Sequence, residues 1–200
     1  IYQTESGYIW IGTEGGLYRY DGSEFKLFPL WDTEKQDVYY INSLYQDSEG
    51  RLWVCTNNYG LFYVDNSGVT HFTTEYYSGV KCVNDVVESA SGIIYAATAY
   101  GVYKVSNDAT ALSRLETIER HNVSDLTLAG ETVYGIYNGN MVFAINDDES
   151  IQEMPSSNYT EEELSTIESD ENGRVYIGTT GQEVLTFTNT NDGQVLLSIA

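Results

Sequence analysis

The chain contains 200 residues, and its 30 acidic and 9 basic side chains give a formal net charge of −21. A surface of this sign repels phosphate backbones, so nucleic acid is excluded as an expected partner. The sequence contains no apolar run long enough for a membrane-spanning helix. We expect the acidic side chains to form a solvated surface.

The first two predicted units show how the chain is built. In residues 1–29, the run 8–13 is rich in β-branched and aromatic residues and follows Gly7, which is typical of a strand after a turn. The second unit, residues 38–73, is clearer, because a turn cluster at 47–50 lies between apolar runs. Its runs predict four short strands joined by hairpins, at 41–45, 51–56, 61–64 and 69–72.

The same unit recurs along the chain, each time with a turn glycine and an aromatic residue three or four positions later. The glycines lie 43, 42, 38 and 43 residues apart, at Gly7, Gly50, Gly92, Gly130 and Gly173. The aromatic residues that follow them are Trp10, Trp53, Tyr95, Tyr134 and Tyr176. A four-stranded unit of about 40 residues is the repeat of a β-propeller blade.

We therefore predict an all-β fold, a β-propeller whose blades each have four antiparallel strands. The five expected blades cover residues 1–29, 38–73, 81–115, 122–154 and 164–200. We expect the complete ring to have about seven blades, so we interpret the chain as a segment of a larger propeller. Trp10 should pack between neighbouring blades. The fourth blade is the least regular copy, because it is the shortest and has no Asp in its first turn.

The loops of such a fold indicate where a ligand would bind. Loops between the second and third strands, and connections that lead into the next blade, gather on one face around the central channel. Aromatic and amide side chains there suit stacking on sugar rings and hydrogen bonding to hydroxyl groups. The candidate ligand-binding residues are Tyr39, Tyr40, Asn57, Tyr59, Tyr100, Tyr137 and Gln182. The alternative for each tyrosine is packing between blades.

The sequence predicts no catalytic residue, cofactor or metal site. His71 falls in an outer strand and His121 in a connection, where we expect both to be exposed, and no Gly-x-Ser-x-Gly or His-Glu-x-x-His motif occurs. Cys55 and Cys82 have no Cys-x-x-Cys partner, so we interpret them as buried packing residues, with a disulfide between blades as the alternative. We therefore predict that the chain is not an enzyme.

Residues 46–65 carry the pattern Asp-x-x-Gly-x-(Leu/Val/Ile)-(Trp/Tyr)-(Ile/Val)-x-Thr, followed by Gly-Leu-(Tyr/Phe)-x-(Tyr/Val)-Asp. Residues 8–21 and 170–179 carry parts of it. This pattern resembles the two-component regulator propeller repeat, whose members form extracellular or periplasmic sensor domains of bacterial membrane proteins. The resemblance implies a non-catalytic receptor domain that binds an oligosaccharide or another small ligand. It also implies a histidine kinase or diguanylate cyclase output domain in the same chain, and it allows a homodimer.

Two other functions remain open at this point: a carbohydrate-active propeller enzyme and a protein-binding scaffold. The Asp-box of sialidases has the spacing Asp-x-Gly-x-x-Trp, whereas the segment from Asp47 to Trp53 has one more residue before its glycine. The Gly-His and Trp-Asp pairs of WD40 repeats are absent from the sequence.

Overall fold

The computed structural model describes residues 1–30, 39–72, 80–115, 118, 121–146, 148–155, 160–181, 183–190 and 193–198. Within these residues, 20 strands form five sheets of four antiparallel strands in chain order, which we call blades one to five. The strands are β1 (Tyr2–Gln3), β2 (Ile9–Thr13), β3 (Gly16–Tyr20), β4 (Phe25–Phe28), β5 (Ile41–Gln46), β6 (Leu52–Thr56), β7 (Leu61–Asp65), β8 (Gly68–Phe72), β9 (Val83–Glu88), β10 (Ile94–Thr98), β11 (Gly101–Val105), β12 (Leu112–Arg114), β13 (Val123–Ala129), β14 (Thr132–Tyr137), β15 (Met141–Ile145), β16 (Ile151–Pro155), β17 (Leu164–Ser169), β18 (Val175–Thr179), β19 (Val184–Thr190) and β20 (Gly193–Ser198).

The blades are arranged around a central channel. Strand β5 packs against β9 of the next blade, β9 packs against β13, and β13 packs against β17. The first strand of each of these blades is therefore innermost and forms the channel wall. This arrangement confirms the predicted fold class of a β-propeller with four-stranded antiparallel blades. No helix in the described part of the chain is long and apolar enough to cross a membrane.

The first hairpin of blade two is held by the side chain of Asp47. Its Oδ1 atom accepts hydrogen bonds from the backbone N–H groups of Glu49 and Arg51, at 3.1 and 2.9 Å. Its Oδ2 atom accepts from Trp53 Nε1 at 2.7 Å and from Arg51 Nε at 2.6 Å. Gly50 completes the turn at φ = +79°, a left-handed conformation that glycine adopts without strain. In blade two, the Asp-x-x-Gly-x-x-Trp pattern therefore closes the turn and orients the tryptophan.

Blade four differs from the others in its first hairpin. A two-residue turn, Gly130 and Glu131, joins β13 to β14. In blade two, the five residues 47–51 join β5 to β6. Blades one and three have Thr4 and Ser89 at the aspartate position but keep the longer turn. The short turn of blade four therefore explains why the fourth copy of the repeat is irregular.

The hydrophobic core lies between the blades. Trp53 of blade two is fully buried against Val86 and Ile94 of blade three. Trp10 of blade one is buried in a cluster that includes Phe62 of blade two, which confirms the predicted packing of Trp10 between blades. Each buried tryptophan removes roughly 150–250 Å² of surface from water, so these junctions supply much of the stability.

The first strands of blades two to five carry a bulge at the same place. Each strand leaves one residue without a partner on the second strand, and these residues are Asn42, Asn84, Ser124 and Ser165. Asn42 Nδ2 donates to the carbonyl of Val83 at 2.8 Å, and Asn84 Nδ2 donates to that of Val123 at 2.6 Å. Because a bulge re-aims the neighbouring side chains, Asn42 and Asn84 can reach the next blade and bond to it.

Candidate functional site

Two sets of loops meet at one end of the channel, which we call the channel face. One set joins the second and third strands of the blades, and the other enters the blades from the preceding one. Backbone hydrogen bonds join the sets: Asn57 N–H donates to the Tyr40 carbonyl at 2.9 Å, and Ala99 N–H donates to the Cys82 carbonyl at 3.2 Å. Bonds of the same kind occur in blades four and five. The loops that carry the predicted ligand-binding residues are therefore held together.

The predicted tyrosines of blades two and three differ in their exposure. Tyr40 and Tyr100 are exposed, with 44% and 53% of their surface accessible. Tyr39 and Tyr59 are half-buried, and their ring centroids lie 4.7 Å apart. Tyr39 also packs edge-on against Phe62, with a centroid distance of 5.8 Å. Tyr40 and Tyr100 are therefore available for stacking on a ligand, whereas Tyr39 and Tyr59 pack and position the loops.

Tyr137 is placed in the interior and not on the exposed surface of the channel face. Only 5% of its surface is accessible, and its hydroxyl donates to Glu153 Oε1 at 2.5 Å. Burial and the hydrogen bond to Glu153 raise the pKa of Tyr137. Its ring can contact a ligand only if the surrounding residues move. Gln182 lies outside the described residues.

Amide side chains continue across the channel face from blade to blade. Asn57 Oδ1 accepts a hydrogen bond from Cys82 Sγ at 3.2 Å. Asn84 Nδ2 lies 3.2 Å from Asn122 Oδ1, to which it donates. Sequence reasoning selected Asn57 and missed Asn84 and Asn122. The signal was present in the repeat, since both residues stand at the start of a first strand.

The channel wall carries a row of four polar residues, which we call the wall row: Ser43, Asp85, Asp125 and Thr166. Each follows the bulged residue of its first strand. Ser43 Oγ donates to Asp85 Oδ1 at 2.7 Å, and Thr166 Oγ1 donates to Asp125 Oδ2 at 2.7 Å. The row therefore crosses three junctions between blades.

Two carboxylates meet in the middle of the wall row and share one donor. Leu126 N lies 3.2 Å from Asp85 Oδ2 and 3.0 Å from Asp125 Oδ1. Burial and the negative charge of Asp125 raise the pKa of Asp85 to about 7. Near neutral pH, the protonated and the ionised form of Asp85 are therefore both populated, as acid–base chemistry requires.

Sequence reasoning missed the wall row, although its signal can be found by aligning the first strands. In each, an Asn or Ser precedes the wall-row residue and an apolar residue follows it. Local motif searches do not detect this pattern, because successive members lie about one blade repeat apart in the chain.

His71 and His121 are partly buried, and both stack on aromatic rings. His71 packs on Phe62 with ring centroids 4.0 Å apart, and its Nε2–H donates to the Tyr59 carbonyl at 2.6 Å. Burial lowers the pKa of His71. His121 stacks on Tyr137 at 4.6 Å. The expectation that both histidines are exposed is therefore wrong, because their rings fill the space beside neighbouring aromatic residues.

Cys55 and Cys82 are free thiols. Cys55 is fully buried and Cys82 is partly buried, and burial raises the pKa of both. These environments agree with the interpretation of the cysteines as packing residues. The alternative of a disulfide between blades is not realised in the structure.

Comparison with known sequences gives one family match. Residues 36–58 match the model described as two component regulator propeller, which confirms the resemblance for the clearest repeat. No curated protein matches the chain.

Among solved structures, the extracellular domain of a putative hybrid two component system from B. thetaiotaomicron is 16% identical with a TM-score of 0.75, over 100% of this chain and 33% of that one. The extracellular domain of a putative one component system from the same organism is 17% identical with a TM-score of 0.74, over 92% and 26%. Virginiamycin B lyase from Staphylococcus aureus is 15% identical with a TM-score of 0.76, over 98% and 68%. These likenesses show a shared β-propeller fold, in which the chain aligns with part of each larger protein.

Proposed function

We propose that the chain is the sensor propeller of a bacterial signalling receptor and binds its ligand at the channel face without catalysing a reaction. The observation that carries this proposal is the match of residues 36–58 to the two component regulator propeller model. The likeness to extracellular domains of one component and hybrid two component systems supports it.

The side chains of the channel face favour a small hydroxylated ligand, and we propose an oligosaccharide. The exposed rings of Tyr40 and Tyr100 offer flat apolar surfaces for the face of a sugar ring. The side-chain amide of Asn57, whose Oδ1 atom accepts from Cys82, offers its NH₂ group to the hydroxyl groups of a sugar. Tyr39 and Tyr59 support these loops. Gln182 remains a proposed contact on the sequence pattern, and Tyr137 is left out because it is buried.

The remaining parts of the proposal concern the whole receptor. We place the propeller on the extracellular or periplasmic side of a bacterial membrane, with a histidine kinase or diguanylate cyclase output domain in the same protein. A homodimer would allow ligand binding to rearrange two such output domains. The names of the similar extracellular domains support this part of the proposal.

The test is thermal unfolding of the protein with a panel of oligosaccharides. A ligand that binds only the folded state stabilises it by about 2.7 kcal/mol at 100 times its Kd. We expect at least one sugar to raise the Tm, and we expect Tyr40→Ala and Tyr100→Ala to weaken this effect. Tyr8→Ala is the matched control, since Tyr8 is 37% accessible and precedes β2 at the opposite end of the blade. No shift with any sugar would contradict a glycan ligand.

A second candidate, a carbohydrate-active enzyme, is favoured by one observation, the pair of Asp85 and Asp125. A carboxyl group with a pKa near 7 on a channel wall suits general acid catalysis. In that case Asp85→Asn would abolish cleavage of a sugar that still binds. If the bound sugar is recovered unchanged from the wild-type protein, the enzyme candidate fails and the sensor proposal stands.

A further inference from the structure

A cleft of about 400 Å³ opens between blades three and four, at the end of the molecule opposite the channel face. Its floor is formed by the buried side chains of Tyr95, Val133 and Ile145. Its rim carries the polar side chains of Ser89, Glu131 and Asn146. An apolar floor below a polar rim is the usual construction of a small-molecule site, and the volume is in the range of such sites.

The cleft exists because a polar contact between neighbouring blades, made at three other junctions, is absent between blades three and four within the described residues. At those junctions, a polar side chain near the end of the first strand bonds the first hairpin of the preceding blade, through its turn in two cases and through its first strand in the third. Gln46 accepts from the N–H of residue 5 at 3.0 Å, and Glu88 accepts from Ser48 N and Oγ at 2.7 and 2.6 Å. Ser169 Oγ donates to the Leu128 carbonyl at 2.6 Å.

Blade four carries Leu128 at this position, which has no polar side-chain atom for the turn at 89–91. Its first hairpin is also three residues shorter than that of blade two, since residues 130–131 stand in place of a turn like 47–51. Both changes remove atoms from the same place. The cleft is therefore built into the fold of this junction and does not depend on the orientation of one surface side chain.

The charges around the cleft select the ligand. Within the described part of the chain, no Lys or Arg forms an ion pair with Glu131. The nearby cation Lys104 is already paired with Glu149 at 2.5 Å. The net charge of −21 attracts cations and repels anions. The rim thus offers a carboxylate and hydroxyl oxygens to a positively charged group, above a floor that accepts hydrocarbon.

We propose that this cleft binds a small aliphatic amine, with its hydrocarbon chain against Tyr95, Val133 and Ile145 and its ammonium group beside Glu131. Burial of the hydrocarbon chain supplies affinity, because apolar surface is removed from water on binding. The carboxylate supplies selectivity for the charged end. This site is separate from the proposed sugar site and lies at the other end of the molecule.

The experiment is an NMR titration of the ¹⁵N-labelled protein with n-butylamine, compared with n-butanol and butyrate. We expect saturable shifts of the amide signals of 89–93 and 131–133 with the amine. The alcohol should bind roughly threefold to fivefold more weakly, as for loss of a partly exposed ion pair, and butyrate should bind least. Glu131→Gln should reduce amine affinity to that of the alcohol.

Glu171→Gln is the matched control, because Glu171 is an exposed carboxylate in the corresponding turn of blade five. It should leave amine binding unchanged. The absence of saturable shifts at these amides would overturn the proposal. Equal affinity for amine and alcohol in the wild-type protein would also overturn it, and this comparison needs no variant.

Discussion

The junction between blades two and three and the junction between blades three and four are built from the same repeat but differ in their polar contacts. At the first junction, Ser43 donates to Asp85, and Ser48 donates to Glu88. At the second, Asp85 faces Asp125 in place of a hydroxyl group, and a cleft takes the place of the outer contact. The repeat thus determines how blades pack, and departures from it create the chemically distinctive places.

The largest effect is expected at the regular junction, from Trp53→Ala. Trp53 is fully buried and bonds Asp47 through its indole N–H. Its removal should cost about 4 kcal/mol of unfolding free energy. Tyr95→Ala at the next junction should cost less, because the cleft already exposes one side of its surroundings. Urea denaturation measures both values, and an equal or larger loss for Tyr95→Ala would contradict the difference between the junctions.

Asp47→Ala is expected to have the next largest effect. It removes the acceptor of four hydrogen bonds and leaves the buried indole N–H of Trp53 without its partner. The expected loss of unfolding free energy is about 2–3 kcal/mol. Asp170→Ala removes the same residue of the motif in blade five, where the contacts are more exposed, and should cost much less. Similar losses of unfolding free energy for the two variants would show that burial of the motif does not determine its contribution to stability.

The pair of carboxylates predicts a dependence on pH. The folded-state pKa of Asp85, about 7, is above that of the unfolded chain. The folded state therefore binds the proton of Asp85 more tightly than the unfolded chain does. The resulting contribution to the free energy of unfolding is fully present below about pH 4 and is lost as the pH rises to about 7. Asp85→Asn does not titrate, so its stability relative to wild type should rise between about pH 4 and about pH 8. The expected rise is roughly 2–4 kcal/mol: the upper value corresponds to the whole pKa shift, and the lower value to solvent screening of a carboxyl group that is only partly buried.

Asp170→Asn is the control for this pH series. Hydrogen bonds from the backbone of Arg174 lower the pKa of Asp170, so its contribution is lost as the pH falls. Because Asp170 is ionised in both the folded and the unfolded state above about pH 4, the stability of this variant relative to wild type should stay nearly constant between about pH 4 and about pH 8. A constant difference between Asp85→Asn and wild type across the series would contradict the raised pKa of Asp85.

The smallest effect is expected from Glu88→Gln, which tests the outer contact at the regular junction. One of the two oxygens that accept from Ser48 becomes an NH₂ group, which cannot accept. We expect a loss of about 0.5–1 kcal/mol in urea denaturation, as for one hydrogen bond. The control is Glu171→Gln, an exposed carboxylate in a turn. If both variants unfold at the same urea concentration, the contact does not fasten the blades.

The architecture could be predicted because it depends on a periodic signal. Gly50 and Trp53 recur with nearly constant spacing, and each copy meets the same physical requirements of a turn and a buried strand. The exposure of single residues depends on strand register, which the repeat does not specify. Tyr137 ends β14 and turns into the interior, whereas Tyr100 lies in a loop and stays exposed.

The contact between Asp85 and Asp125 could not be predicted for a different reason. The two residues belong to different blades, and their approach depends on the bulges in β9 and β13 and on the packing of these strands. Neither quantity is encoded in a local motif. Alignment of the first strands places the two aspartates at equivalent positions. This equivalence predicts a contact only when the packing of neighbouring blades is also known.

The most direct test of the central claim is equilibrium binding of the most stabilising oligosaccharide to three proteins: wild type, the Tyr40→Ala/Tyr100→Ala double variant and Glu131→Gln. The account predicts that the double variant loses at least about tenfold in affinity, as for two stacking contacts of roughly 1 kcal/mol each. Glu131→Gln should bind like wild type, because Glu131 lies at the other end of the molecule. Unchanged binding by the double variant would contradict a ligand site at the channel face.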